Sequence, residues 1–275
     1  MGNFSWAMPY ASRRMPIFAE NMVATSQPLA AQAGLRMLQD GGNAVDAALA
    51  TAITLTVVEP VMNGIGSDAF CILWDGQQLH GLNASGRAPA SWTPERFAGL
   101  EEMPQRGWDA ITVPGCVSAW VALSKRFGRL PFEKLFEPAI RYADSGFQVG
   151  PVSAEMWEES VGILGGFEEF CRVFLPQGRA LRTGERFQNP DQAKTLQLIA
   201  ETKGEAFYRG FLAEQIIVDS TRHGGEMNFT DLGQHRCDWV GTVSKEFMGH
   251  ELHEIPPNGQ GLAALIALGI LEHLP

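Results

Sequence analysis

The sequence predicts an α+β protein, on three observations. Apolar residues recur at helical spacing in two blocks across residues 28–58. A strand-like run at 69–74 is followed, after Asp75-Gly76, by a second at 78–82. A long, mostly helical portion covers about 115–225, ahead of two more strands and a last apolar helix.

Taken in order, Ser26 is placed to cap a helix whose first position is Pro28, with Leu29, Ala33, Met37 and Leu38 on one face until Gly41-Gly42 ends it. Asn43 caps a second helix with Asp46 three residues on, and the uncharged run from Ala47 to Val58 predicts burial all round. That run is shorter than the roughly 20 apolar residues a membrane span needs, so it reads as a core helix. Gly64-Ile65-Gly66 then turns the chain into the strand pair. It lacks the remaining glycine of a dinucleotide loop and the lysine of a phosphate loop, so it reads as a structural turn. Ile111-Thr112-Val113-Pro114-Gly115 looks strand-like and leads into a helix from about Val117 to Arg126, with Trp120 and Val121 on its apolar side. After Phe127-Gly128-Arg129-Leu130-Pro131 another helix begins, lined by Phe132, Leu135, Phe136, Ile140 and Ala143 and stopped by Gly146.

Glycines at 162, 165 and 166 break 151–172 into short helices, and 176–190 reads as a loop or one short hairpin. Helices follow at Thr195–Ile199 and Leu212–Arg222, and a helical turn opens at Thr230. Trp239–His253 reads as two strands around Met248-Gly249, and Gly261–Leu274 as a last helix. Residues 1–15 are expected to form an N-terminal arm, and 16–275 a single domain.

Composition bounds the partners. The chain has 275 residues, 45% hydrophobic, with a formal net charge of -10, which argues against nucleic acid or an anionic membrane as a partner. Cys71, Cys116, Cys171 and Cys237 are scattered with no paired spacing and read as reduced buried thiols rather than metal or redox groups. His250 and His253 fall on opposite faces of one strand, which is no metal pair, while His223 and His235 are expected at the surface. Residues 1–14 hold no apolar stretch of signal-peptide length, so the expected location is cytoplasmic.

The series Pro28-Leu29-Ala30, Gly41 to Ala48, Val57 to Pro60 and Gly64 to Gly66 resembles the gamma-glutamyltranspeptidase family in order and spacing. The likeness continues through Thr112 to Gly115, Phe127 to Pro131, Pro138 to Ile140, Ala206 to Gly210 and Pro256 to Gly261, so it covers the chain from about Pro16 onward. The resemblance implies an N-terminal nucleophile hydrolase fold, an αββα sandwich of which this chain holds part.

It also implies the chemistry. The family's nucleophile is a threonine freed as the N-terminus of a small subunit when the precursor cleaves itself, so that its own amine acts as base. Thr25, Thr51, Thr112, Thr183 and Thr242 all lack the Thr-His continuation of that junction, so no catalytic residue is expected here and the chain alone is expected to be inactive. The implied partners are the missing small subunit and a small gamma-glutamyl or related amide substrate. No metal or organic cofactor is implied. Without the small subunit, sheet edges and helix faces are left open, favouring aggregation, a non-native pairing or a homo-oligomer.

For substrate binding, the family's large subunit offers an arginine, in an R-E-x-A-P context, to the substrate's α-carboxylate. Aligning Ala88-Pro89 with that motif puts Ser85 at the arginine's position and Arg87 two residues later. Arg87 and Ser85 are therefore the candidate substrate-binding residues, with Arg87 either a ligand-binding group or a surface or structural ion pair. Loss of the usual motif leaves open an acylase acting on a non-glutamyl amide. From a different class, the chain reads as a non-catalytic assembly or binding subunit or a degenerate fragment. An internal serine nucleophile, Ser67 or Ser85, lacks a recognisable supporting His and acid.

Overall fold

The structure, a computed structural model, describes residues 17–274. The arm expected over 1–15 lies outside the described residues. The elements run α1 (Pro28–Gln39), α2 (Ala44–Val58), β1 (Ala69–Trp74), β2 (Leu79–Ala84), α3 (Cys116–Phe127), a 3-10 turn (Phe132–Phe136) and α4 (Glu137–Ser145). They continue with β3 (Phe147–Gln148), α5 (Pro151–Leu164), α6 (Glu168–Phe174), β4 (Arg186–Phe187), α7 (Pro190–Thr202), α8 (Glu205–Arg209) and α9 (Phe211–Arg222). The last are α10 (Phe229–Gln234), β5 (Asp238–Val240), β6 (Val243–Phe247), β7 (His250–Glu254) and α11 (Gly261–Leu271).

The helix α2 is the hub, packed by α1, α3, α4 and the 3-10 turn, but it is not buried all round as the uncharged run predicted: Ala44 and Ala48 are exposed and Ala52 and Leu55 half-buried along one stripe, because no described element packs fully over that side. Its N-terminus is a full capping box: Asn43 accepts from the amides of Val45 and Asp46, and the Asp46 carboxylate accepts from that of Asn43 at 2.9 Å. The same carboxylate, fully buried, also accepts from the amides of Arg129 at 3.1 Å and Leu130 at 3.3 Å, while Asn43 Nδ2 donates to the Phe127 carbonyl at 2.7 Å. One buried carboxylate thus satisfies three backbone donors and clamps the start of α2 to the turn after α3. A second cluster forms where Trp157 packs against Phe174 and Phe187 and donates to the Phe174 carbonyl at 3.0 Å.

The antiparallel sheet has the order β1-β2-β5, with Asn83 opposite Asp238. In β1, Cys71 and Leu73 pack on the core while Phe70, Ile72 and Trp74 are exposed, so one face of the sheet is covered and the other is open. The β6–β7 hairpin carries α11, whose Leu262, Ile266, Ile270 and Leu271 are likewise exposed.

Several expectations are corrected. Gln27, not Ser26, caps α1: its side-chain oxygen accepts from the amides of Leu29 and Ala30, while the Ser26 hydroxyl donates to Glu59. Ile111–Gly115 is no strand, because Pro114 offers no amide and the segment makes only isolated bonds such as Val113 N to the Arg87 carbonyl at 2.9 Å. The helix expected from Pro131 starts as a 3-10 turn, because Pro138 cannot donate to the carbonyl four residues back and a new α-helix opens around it. Residues 186–187 pair with the distant Phe147–Gln148 rather than closing their own hairpin. Trp239 lies in β5, beside β2, apart from the β6–β7 pair. Of the cysteines, only Cys116 is fully buried, and all four are free.

Candidate functional site

The ends of β2 and β5 converge with two loops on a small polar cleft of about 240 Å³, lined by Asn83, Ser85, Gly86, Arg87, His235, Arg236, Asp238 and Asn258. β2 delivers Asn83, whose Oδ1 accepts from the Ser85 amide at 3.0 Å and whose Nδ2 donates to Asn258 Oδ1 at 2.9 Å, drawing in the Pro256–Gly261 loop. Gly86 then bends the chain at φ +80°, and a Cβ there would lie 1.7 Å from the Val113 carbonyl oxygen. A Cβ on Gly115 would come within 1.8 Å of the Ala84 oxygen. The two backbones touch at both glycines, and only glycine allows it.

The turn presents Arg87 to solvent, with its side chain 79% exposed and Asp238 Oδ2 at 3.7 Å. An exposed pair at that distance holds the guanidinium loosely and leaves it free to engage an anion. The Ser85 hydroxyl reaches only the neighbouring Gly86 carbonyl, at 3.4 Å, and no base activates it. Ser67 serves the backbone, its carbonyl accepting from the amides of Gly115 and Cys116 at the start of α3.

His235 was expected at the surface and is buried instead, because α8 and α3 close over it. Its ring stacks on Tyr208 at 5.2 Å, and Nε2 lies 3.0 Å from Ser118 Oγ. Ser118 Oγ donates to the Gly115 carbonyl at 2.7 Å, so Nε2 carries the hydrogen toward Ser118. Tyr208 donates to the Pro114 carbonyl at 2.8 Å and accepts from the Ser118 amide at 3.0 Å. Burial, then the neighbouring Arg87, lowers the His235 pKa below its ordinary value, with Asp238 acting the other way and Arg209 adding to the fall.

Burial pushes the Cys116 thiol up to about 12 and raises that of Cys237, which makes both poor nucleophiles. The cleft therefore brings together anion donors without an activated nucleophile among the described residues. The two residues the sequence singled out, Arg87 and Ser85, both line this cleft, and so does Asn258 of the Pro256–Gly261 loop. His235 was not singled out, since a lone histidine between a short helix and a short strand carries no periodicity. Among the described residues no helix is long and apolar enough to cross a membrane.

A family model described as Gamma-glutamyltranspeptidase matches residues 30–275. The chain is 38% identical over 260 residues to the glutathione hydrolase-like YwrD proenzyme of Bacillus subtilis (strain 168), covering 94% of this chain and 50% of that one. In three dimensions it matches a cephalosporin acylase from Bacillus halodurans with a TM-score of 0.92 and 46% identity, over 100% of this chain and 53% of that chain. It matches a gamma-glutamyltranspeptidase from Pseudomonas nitroreducens with a TM-score of 0.85 and 31% identity, over 93% of this chain and 77% of that one. The chain spans about half the length of the curated relatives it matches.

Proposed function

The chain belongs to the gamma-glutamyltranspeptidase family, with the α+β N-terminal nucleophile hydrolase fold of its structural neighbours, and from that premise we propose that it is the substrate-gripping half of an amide-splitting enzyme. In this reading a partner portion of the proenzyme packs on the open β1 face and on α11 and supplies a threonine nucleophile. The threonine attacks a gamma-glutamyl or related amide, forms an acyl-enzyme and passes the acyl group to water or an amine. Arg87 receives the carboxylate of the acyl group, and Ser85 lies beside it at the turn.

The observation that carries this reading is the loosely held guanidinium of Arg87 in a polar cleft where, among the described residues, no base activates Ser85 and burial raises the thiols of Cys116 and Cys237. The test is to produce the chain joined to a segment that completes the proenzyme, and to follow self-cleavage and release of nitroaniline from a gamma-glutamyl anilide. Arg87→Ala is expected to raise KM at least tenfold, on the order of 1.4 kcal/mol, with little change in kcat. Turnover by the 275-residue chain alone would contradict the assignment of the nucleophile to the partner portion.

A second reading, an acylase for a non-glutamyl amide, is favoured by the 46% identity to the cephalosporin acylase and by Ser85 standing where the family motif has its arginine. Faster cleavage of a glutaryl than of a gamma-glutamyl anilide by the completed proenzyme decides for it.

A further inference from the structure

The cleft contains a buried basic atom that the binding reading leaves unused. His235 lines the cleft, is 8% exposed, and uses Nε2 to donate to Ser118, while its Nδ1 is shut from solvent with no hydrogen-bond partner. With Nε2 already carrying a hydrogen, Nδ1 is the one ring atom that can still take up a proton.

Burial is the largest obstacle to that proton, and the charged groups around the ring come next. Arg87, on the turn after β2, and Arg209, on α8, oppose it; Asp238, on β5, favours it. Arg236 and Cys237 flank it in the chain, and Tyr208 and Ser118 pack on it as uncharged groups. A carboxylate on Arg87 cancels the largest of the opposing charges and places a negative charge in the same 240 Å³ cleft.

We propose that His235 is an anion-linked proton site: a carboxylate docking on Arg87 draws a proton from solvent onto His235 Nδ1, so carboxylate ligands bind more tightly as pH falls. The inference rests on the reading of Arg87 as the carboxylate-binding residue. An N–H bond forms at Nδ1 as the hydronium or buffer acid that donates the proton gives up its own, and once the ligand has neutralised Arg87 the imidazolium charge is offset by Asp238. By reciprocity, the ligand shifts the titration of His235 by the same factor as the proton shifts ligand affinity.

The probe is L-glutamate, whose own charge is constant between about pH 5.5 and 8. Its affinity for the full chain, measured by calorimetry in two buffers of different ionisation enthalpy, is expected to rise roughly three- to tenfold across that range, with proton uptake. His235→Phe, which keeps a ring on Tyr208, is expected to bind without the pH dependence. Arg87→Ala is expected to lose binding at every pH. Binding by wild type that does not change with pH, or a pH dependence that survives in His235→Phe, overturns the inference and leaves the role of Arg87 standing. Undiminished binding by Arg87→Ala, or no binding by wild type, overturns the role of Arg87 and with it the inference. Should His235→Phe fail to fold, NMR titration of the His235 ring in the wild-type chain gives the same decision: a pKa raised by glutamate supports the inference and an unmoved one overturns it.

Discussion

The joint between Asn43–Asp46 and Phe127–Leu130 and the cleft between Asn83–Arg87 and His235–Asp238 are both polar, yet they are built in opposite ways. At the joint every group is satisfied: the Asp46 carboxylate serves three backbone amides and the Asn43 side chain serves three backbone partners. At the cleft, Arg87 has one distant partner and His235 Nδ1 has none. The joint also carries the most specific sequence motif in the chain, and it touches no cleft residue. A strong motif can thus mark a structural clamp, whereas groups left short of partners single out the cleft as the candidate for binding.

That contrast is open to attack in four places. The largest effect is expected from Asp46→Ala, which strips three partly buried amides of their acceptor; a loss of about 3 kcal/mol in chemical denaturation follows from orphaning that many donors. A loss below about 1 kcal/mol would show that water or a shift of the turn replaces the carboxylate, and would remove the distinction. Next, Gly86→Ala and Gly115→Ala force a Cβ to 1.7 and 1.8 Å from carbonyl oxygens, and each is expected to cost on the order of 2–3 kcal/mol and to abolish carboxylate binding. Wild-type binding by either variant would mean the cleft does not depend on this backbone contact.

The third is a pH effect. The folded pKa of His235 lies below its unfolded value, so the unfolded chain takes the proton first. Stability is therefore expected to hold above the ordinary histidine value and to fall as pH drops from there toward the lowered folded one. Subtracting the Tm profile of His235→Phe from that of wild type isolates this contribution, and identical slopes on the acid side would exclude it. The smallest effect is expected from Arg87→Ala: the Asp238 pair is exposed, so stability should stay within about 0.5 kcal/mol of wild type. A larger loss would move Arg87 to the structural side of the contrast, as one of the two sequence readings had it.

Much of the fold was written locally. The capping box at Asn43, the limits of β1, the stop at Gly146 and the helices of the middle portion follow from residues within a few positions of each other, where propensity and periodicity act. The cap on α1 failed at the same range because Gln27, an uncommon cap, reaches the amides that Ser26 does not. The family likeness was also legible, since it rests on residue identity in order, and the same order singled out Arg87 as a candidate. The cleft was not legible. Its walls meet through bonds spanning 117 residues, from Ser118 to His235, and 175, from Asn83 to Asn258, and no local pattern encodes such distances. The sequence by itself determined most of the elements, the capping box at Asn43 and the family, because backbone propensity and residue type act along the chain. Only the tertiary structure decided that β5 joins β2, that His235 is buried and that Arg87 stands nearly free beside it, because burial and charge depend on what packs around a group.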